Sequence, residues 1–126
     1  MEPNGPIVSQ DNGKTAGIVS YFFIIGWLIA YFGMHQNNKT SLGSYQLRQT
    51  LLFHIIHMII YFVFHRIVYG MYFAGGSFYF LLNGIIWIAD LGLFVIWIIG
   101  LLGAIKGEKT AIPLIGDRAQ TMFPNI

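Results

Sequence analysis

The stretch LLFHIIHMIIYFVFHR, residues 51–66, places three histidines within a run that is otherwise almost wholly apolar. On a helix, the polar side chains of this region fall within one arc about 120° wide. They are Thr50, His54, His57, Tyr61, His65 and Tyr69. Because polar groups are costly in an apolar environment, we expect this stripe to face other helices rather than lipid.

The composition indicates an integral membrane protein. Of the 126 residues, 56% are hydrophobic, 17% are aromatic and 10% are charged, whereas soluble domains carry about 25% charged residues. The length has room for one domain. Because of this composition, the lipid bilayer is the expected surrounding. The net charge of +2 is too small to suggest a nucleic-acid partner. With no cysteine, disulfides and thiolate chemistry are excluded.

Three apolar segments predict an all-α protein with a three-helix transmembrane bundle. A helix needs about 20 apolar residues to cross about 30 Å of hydrocarbon, and the predicted spans are about 15–33, 47–69 and 79–105. Residues 1–14 are predicted to be a flexible tail, and residues 106–126 a tail at the membrane interface. A four-span alternative divides the apolar stretch after Arg66 into two short crossings.

The distribution of basic residues predicts the orientation. Three spans place the two ends of the chain on opposite sides of the membrane. The loop after the first span and the C-terminal tail then share a side that carries Lys39, Arg48, Lys106, Lys109 and Arg118, against Lys14 and Arg66 on the other. By the positive-inside rule, the N-terminus is outside and the C-terminus cytoplasmic. The expected location is a bacterial inner membrane.

The third predicted span carries a charge near its middle. Asn83 and Asp90 share one face, and an unpaired carboxylate at this depth costs at least about 2.5 kcal/mol. Matching the midpoints of the second and third spans brings Asp90 level with His57 and Tyr61, one of which we expect to be its partner. The predicted intramembrane polar network comprises His54, His57, Tyr61, His65, Asn83 and Asp90.

This polar network has several possible uses. Interhelical hydrogen bonding between buried histidines and Asp90 is the favoured interpretation, and a proton or ion path along the stripe is the next. A metal site of His54, His57 and Asp90 is a weaker alternative. Bis-histidine haem fits badly because His35, the one histidine outside the stripe, lies in a loop. No cofactor or metal is therefore expected. Neither a nucleophile with its base nor a phosphate loop is recognisable, so the chain is predicted not to be an enzyme.

Small residues mark two further faces. Small side chains let membrane helices approach closely, and the predicted packing positions are Gly26, Ala30 and Gly33 on the first span and Gly92, Gly100 and Gly103 on the third. We expect Gly92 and Gly100 to contact another helix. That helix belongs either to the same chain or to a second copy in a homo-oligomer.

Two stretches resemble a known family. SYQLRQTLLFHI (44–55) and WIIGLLGAIKGEKTAIPLIGDRA (97–119) look like small bacterial membrane proteins related to the twenty-kilodalton subunit of the chloroplast inner-envelope Tic import translocon. The matching positions are Arg48, Gln49, Gly107, Pro113 and Gly116. The resemblance implies a subunit or accessory factor of a protein translocation or membrane assembly machine. The alternatives are a structural subunit of another membrane complex, and an ion or proton conductor that uses the His/Asp stripe.

Overall fold

The computed structural model describes residues 5–126, and every regular element in this range is a helix. The helices are α1 (Gly5–Ser20), α2 (Phe23–His35), α3 (Ser41–Phe73), α4 (Tyr79–Lys106) and α5 (Gly116–Met122). With 33 and 28 residues, α3 and α4 are long and apolar enough to cross a membrane. The all-α prediction is confirmed for the described residues, but only two helices have the length of a span. Part of the predicted N-terminal tail is helical, since α1 begins at Gly5.

The predicted first span is not one helix. The chain breaks at Tyr21 and Phe22, and Phe23 has a φ of +61°, in the left-handed region that bulky residues rarely adopt. Helix α2 then runs back along α1. At their crossing the backbones approach so closely that a methyl group on Gly26 would collide with the Val19 carbonyl oxygen. We call α1 and α2 the N-terminal hairpin and residues 20–23 its tip.

The hairpin brings both of its ends to the same end of the molecule. Gly13 in α1 and His35 at the end of α2 both lie against Gly43 of α3. The Lys14 side chain packs against Gly107, just after α4. The structure therefore does not confirm the predicted separation of the two ends, because the chain reverses at the hairpin tip. We call this end of the molecule, where α3 begins and α4 ends, the basic end, because most of the Lys and Arg residues of the chain belong to it.

Local sequence explains where the long helices begin and end. The Thr40 hydroxyl accepts a hydrogen bond from the Gly43 backbone N–H at 2.9 Å, which caps the first turn of α3. A π-helical stretch spans Ile60–Phe64. Gly75, in the turn between α3 and α4, has a φ of +72°. Helix α4 ends at Gly107, whose φ of +71° is the left-handed conformation that commonly terminates helices.

Packing is concentrated between the basic end and the hairpin tip. Two apolar clusters join the hairpin to α3 and to the segment that follows α4, and their buried members include Tyr21, Trp27, Leu47 and Ile112. The opposite halves of α3 and α4 carry exposed large side chains, such as Phe73 and Phe80. The hairpin, the first half of α3 and the segment after α4 thus form one compact unit, which we call the packed base. The second half of α3 and the first half of α4 project from it.

Candidate functional site

A buried group of polar side chains connects three parts of the chain. Gln49 of α3 donates through Nε2 to the Tyr21 hydroxyl at 2.7 Å and the Thr110 carbonyl at 3.2 Å. Its Oε1 accepts from the Ile112 backbone N–H at 3.1 Å. Gln46 Oε1 lies 2.9 Å from Gln49 Nε2 and also accepts from the Tyr21 hydroxyl at 3.1 Å. We call Tyr21, Gln46 and Gln49 the glutamine hub.

The glutamine hub satisfies backbone groups that have no helical partner. Residues 107–115 are irregular, so their carbonyl and N–H groups need other partners when buried. Gln49 serves Thr110 and Ile112, and Gln46 Nε2 donates to the Glu108 carbonyl at 2.8 Å. The hub therefore holds the segment after α4 against α3 and the hairpin. Of these three residues, only Gln49 is singled out by the sequence as a candidate position. Gln46 could have been found because it lies three residues earlier, on the same face of an apolar helix.

The hairpin tip is closed by donors from both long helices. A helix leaves its last carbonyls without partners, as at Ser20, the last residue of α1, and Tyr21 follows it in the turn. His54 Nε2 lies 2.7 Å from the Ser20 carbonyl oxygen, and Trp97 Nε1 donates to the Tyr21 carbonyl at 2.9 Å. Because a carbonyl oxygen only accepts, Nε2 of His54 carries the proton. His54 thus caps the hairpin. The predicted stripe implied instead that its polar partner would lie on α4.

Asp90 pairs with a different histidine from the one predicted. His65 Nε2 lies 3.3 Å from Asp90 Oδ2, whereas the sequence pointed to His57 or Tyr61. The reason is the register, because α3 continues beyond its predicted end to Phe73. The turn into α4 therefore sets Asp90 level with a later residue.

The other members of the predicted polar network do not converge on one point. The His57 ring lies between the rings of Phe53 and Tyr61, with centroid separations of 6.2 and 6.4 Å. Tyr61 is exposed, and Asn83 is partly buried on α4. Within residues 13–126, whose side chains the structure describes, no three His, Asp or Glu side chains are placed to hold a metal ion together. The histidines therefore serve separate contacts.

The predicted packing glycines divide into two groups. A methyl group on Gly100 would lie 2.6 Å from the Tyr21 hydroxyl, and one on Gly103 would lie 2.6 Å from Thr110 Cβ. Gly26 and Ala30 are also buried. In contrast, Gly33 and Gly92 have open space around them. The expected contact at Gly92 is therefore absent from the described part of the chain, because that side of α4 faces away from the hairpin.

Four of the five positions that carry the family resemblance lie in the packed base. Arg48 donates to the Gln120 side chain at 3.3 Å and the Pro124 carbonyl at 3.1 Å, so it holds α5 and the residues after it. Gly116 is buried against Ala111 and Gln49. Gly107 terminates α4, and only Pro113 is exposed.

A buried histidine lies where the hairpin returns to the basic end. His35 Nε2 is 3.2 Å from the Ser44 hydroxyl, and its Nδ1 is buried without a hydrogen-bond partner among the described residues. Burial, and secondarily the positive charge of Lys39, lowers the pKa of His35 below its usual value. His35 is therefore neutral at neutral pH, consistent with its basic surroundings.

A cavity of about 380 Å³ lies beneath the hairpin tip, between α3 and α4. Most of its wall is apolar or aromatic, and two histidines and one carboxylate interrupt it. The lining residues are Tyr21, Phe22, Phe23, Phe53, His54, His57, Asp90, Leu93, Phe94 and Trp97. We call this cavity the tip pocket. It combines aromatic faces with a carboxylate.

Comparison with known proteins adds no relative. No protein-family model, curated protein or solved structure matches this chain. Its class is therefore defined by its own features: an all-α fold with two helices long and apolar enough to cross a membrane, and a helical hairpin held by a buried glutamine hub.

Proposed function

We propose that this chain is a non-enzymatic membrane protein that acts as a subunit or accessory factor of a larger membrane complex. The observation that carries this proposal is a side of α4, the more apolar of the two long helices, that no other described part of the chain covers. Gly84 and Gly92 both lie there with open space around them, and Ile88 between them is 72% exposed. Each glycine leaves room for a second helix to approach at its own position, and the exposed Ile88 side chain would pack against that helix.

The resemblance to the Tic-related bacterial proteins supports a more specific role. It would make the larger complex a protein translocation or membrane assembly machine. In that role the packed base would hold α3 and α4 in a fixed geometry, and the open side of α4 would contact the neighbouring subunit.

The proposed topology has two spans, with the basic end in the cytoplasm. Six of the seven Lys and Arg residues belong to this end, and they are Lys14, Lys39, Arg48, Lys106, Lys109 and Arg118. Arg66, in the second half of α3, is the exception. The positive-inside rule places the richer side in the cytoplasm. The hairpin would then enter the membrane from that side and return to it, with its tip carbonyls satisfied by His54 and Trp97, as backbone at membrane depth requires.

Reporter fusions should distinguish this topology from three spans. Reporters at the N-terminus, at Asn37 and at the C-terminus should all give a cytoplasmic signal, and one at Gly75 should give an external signal. The N-terminal fusion is decisive, because three spans would place that end outside while leaving Asn37 and the C-terminus cytoplasmic. An external N-terminal signal would contradict the two-span proposal.

The subunit role predicts a specific cross-link from α4. A photoreactive amino acid at Ile88 should form an adduct of discrete mass with another protein subunit in intact cells. Its matched control is Ile86 on the same helix at nearly the same depth, which is only 7% exposed and should form no such adduct. The Gly92→Leu variant should lose the adduct, because a branched side chain prevents close helix approach.

Two results would count against the subunit role. One is that a reactive group at Ile88 labels only lipid. The other is that the adduct persists unchanged in the Gly92→Leu variant. In the supporting case, the partner identified by mass spectrometry should also co-purify in mild detergent without cross-linking.

A further inference from the structure

We propose that the tip pocket binds a lipophilic organic cation, meaning an apolar molecule that carries one delocalised positive charge. This inference goes beyond the subunit role and does not depend on it. Its basis is the combination of aromatic faces with a single partly exposed carboxylate in a cavity whose wall is mostly apolar. Aromatic rings attract cations through their faces, and a carboxylate selects positive over negative charge.

The aromatic wall of the pocket is built around Trp97. Phe94 stacks on Trp97 with centroids 5.9 Å apart, and Phe22 meets Trp97 edge-on at 6.1 Å. Trp97 cannot rotate freely, because its indole N–H donates to the Tyr21 carbonyl. The Trp97 ring is thus fixed before a ligand arrives, which reduces the entropy lost on binding.

Asp90 provides the charge. Its side chain is 34% exposed and contacts His65 through Oδ2; among the described residues it has no other hydrogen-bond partner. Asp90, Phe94 and Trp97 are spaced i, i+4 and i+7, so they lie on one face of α4 and line the same cavity. A cation in the tip pocket would therefore meet the carboxylate and the aromatic faces at the same time.

The remaining polar groups do not favour an anion or a strongly hydrated ion. His54 already donates to the Ser20 carbonyl, and the Tyr21 hydroxyl is bonded to both glutamines of the glutamine hub. The His57 ring lies between two aromatic rings, and the rest of the wall is largely apolar. A small inorganic cation would lose its hydration shell without enough oxygen ligands to replace it. The volume of about 380 Å³ falls within the range of small-molecule sites. An apolar molecule with one delocalised positive charge satisfies all of these conditions.

Tetraphenylphosphonium and tetraphenylborate are a suitable pair of probes, because they have nearly the same size and opposite charge. Equilibrium dialysis of the full chain in a non-ionic detergent, corrected for empty micelles, should show the phosphonium bound at least about tenfold more tightly than the borate. Equal binding of the two ions would overturn the proposal, since it would show partition into an apolar surface. Neutral tetraphenylsilane binding as tightly as the phosphonium would overturn it as well.

Three variants locate the site. Asp90→Asn should weaken phosphonium binding at least about tenfold, and Phe94→Leu about five- to tenfold by removing one aromatic face. Phe80→Leu is the matched control, because Phe80 is an exposed ring on the same helix that does not line the pocket; it should bind as the wild type does. Phe94 is itself exposed, so its loss tests the site even if Asp90→Asn fails to fold. Equal affinity of the Phe94→Leu and Phe80→Leu variants would overturn the proposal.

Discussion

Replacing Gln49 with leucine is expected to lower the free energy of unfolding by about 3–5 kcal/mol, since a buried polar group left unsatisfied costs about 1–3 kcal/mol. The substitution would strand the Ile112 N–H and the Thr110 carbonyl, and it would remove a partner from the Tyr21 hydroxyl. Leucine has a similar volume, so the loss would come from hydrogen bonding rather than from a cavity. Unfolding of the purified protein in mixed micelles, followed by circular dichroism, would measure it.

Gln36→Leu provides the control for this experiment. Gln36 is exposed at the end of the hairpin, so the same substitution there should change stability by no more than about 0.5 kcal/mol. Gln46→Leu should also be destabilising, and the double variant should lose less than the sum of the single losses, because the two side chains share one network. If Gln49→Leu unfolded at the same point as Gln36→Leu, the hub would contribute nothing to stability.

Replacing Gly100 with leucine is expected to cost about 3 kcal/mol, at the upper end of what overpacking usually costs. Even the first carbon of a side chain would lie 2.6 Å from both the Tyr21 hydroxyl and Ile112 Cγ1. Relief would require α4 to move away from the hairpin tip, which would stretch the bond from Trp97 to the Tyr21 carbonyl. Thermal unfolding in detergent should show a lower midpoint.

Gly92→Leu is the matched control, because the same substitution on the same helix meets open space. Leucine has a higher helix propensity than glycine by up to about 1 kcal/mol, so the purified variant should be as stable as the wild type or slightly more so. From the sequence, both glycines are predicted to contact another helix. In the structure, only Gly100 of the two packs against another part of the chain within the described residues. Equal destabilisation by both substitutions would contradict the packing described for α4.

Helix α4 and the all-α class could be predicted because they depend on hydropathy over a long window. The predicted third span, 79–105, agrees closely with Tyr79–Lys106. The hairpin could not be predicted in this way. Residues 15–33 have the length and hydropathy of a span, and no proline or glycine marks the break at Tyr21 and Phe22. Its cause is tertiary, because distant donors satisfy the carbonyl groups at the tip.

The candidate site was predictable only in part, for a related reason. Periodicity places His54, His57 and His65 on one side of a helix, but it does not say which neighbour each one meets. His54 meets the hairpin because α1 ends beside it, and His65 meets Asp90 because α3 extends to Phe73. Both facts depend on where other helices end, which is the least certain part of a sequence-based interpretation.

The closure of the hairpin tip has a consequence for biosynthesis. His54 follows Ser20 by 34 positions, and Trp97 follows Tyr21 by 76, so the ribosome completes the hairpin tens of residues before its last donor exists. In the proposed two-span topology, the two tip carbonyls would need water or another protein to satisfy them during that interval, so the newly synthesised hairpin would stay out of the hydrocarbon layer. Insertion of the hairpin would thus follow that of α4, and it would complete rather than begin the folding of this chain.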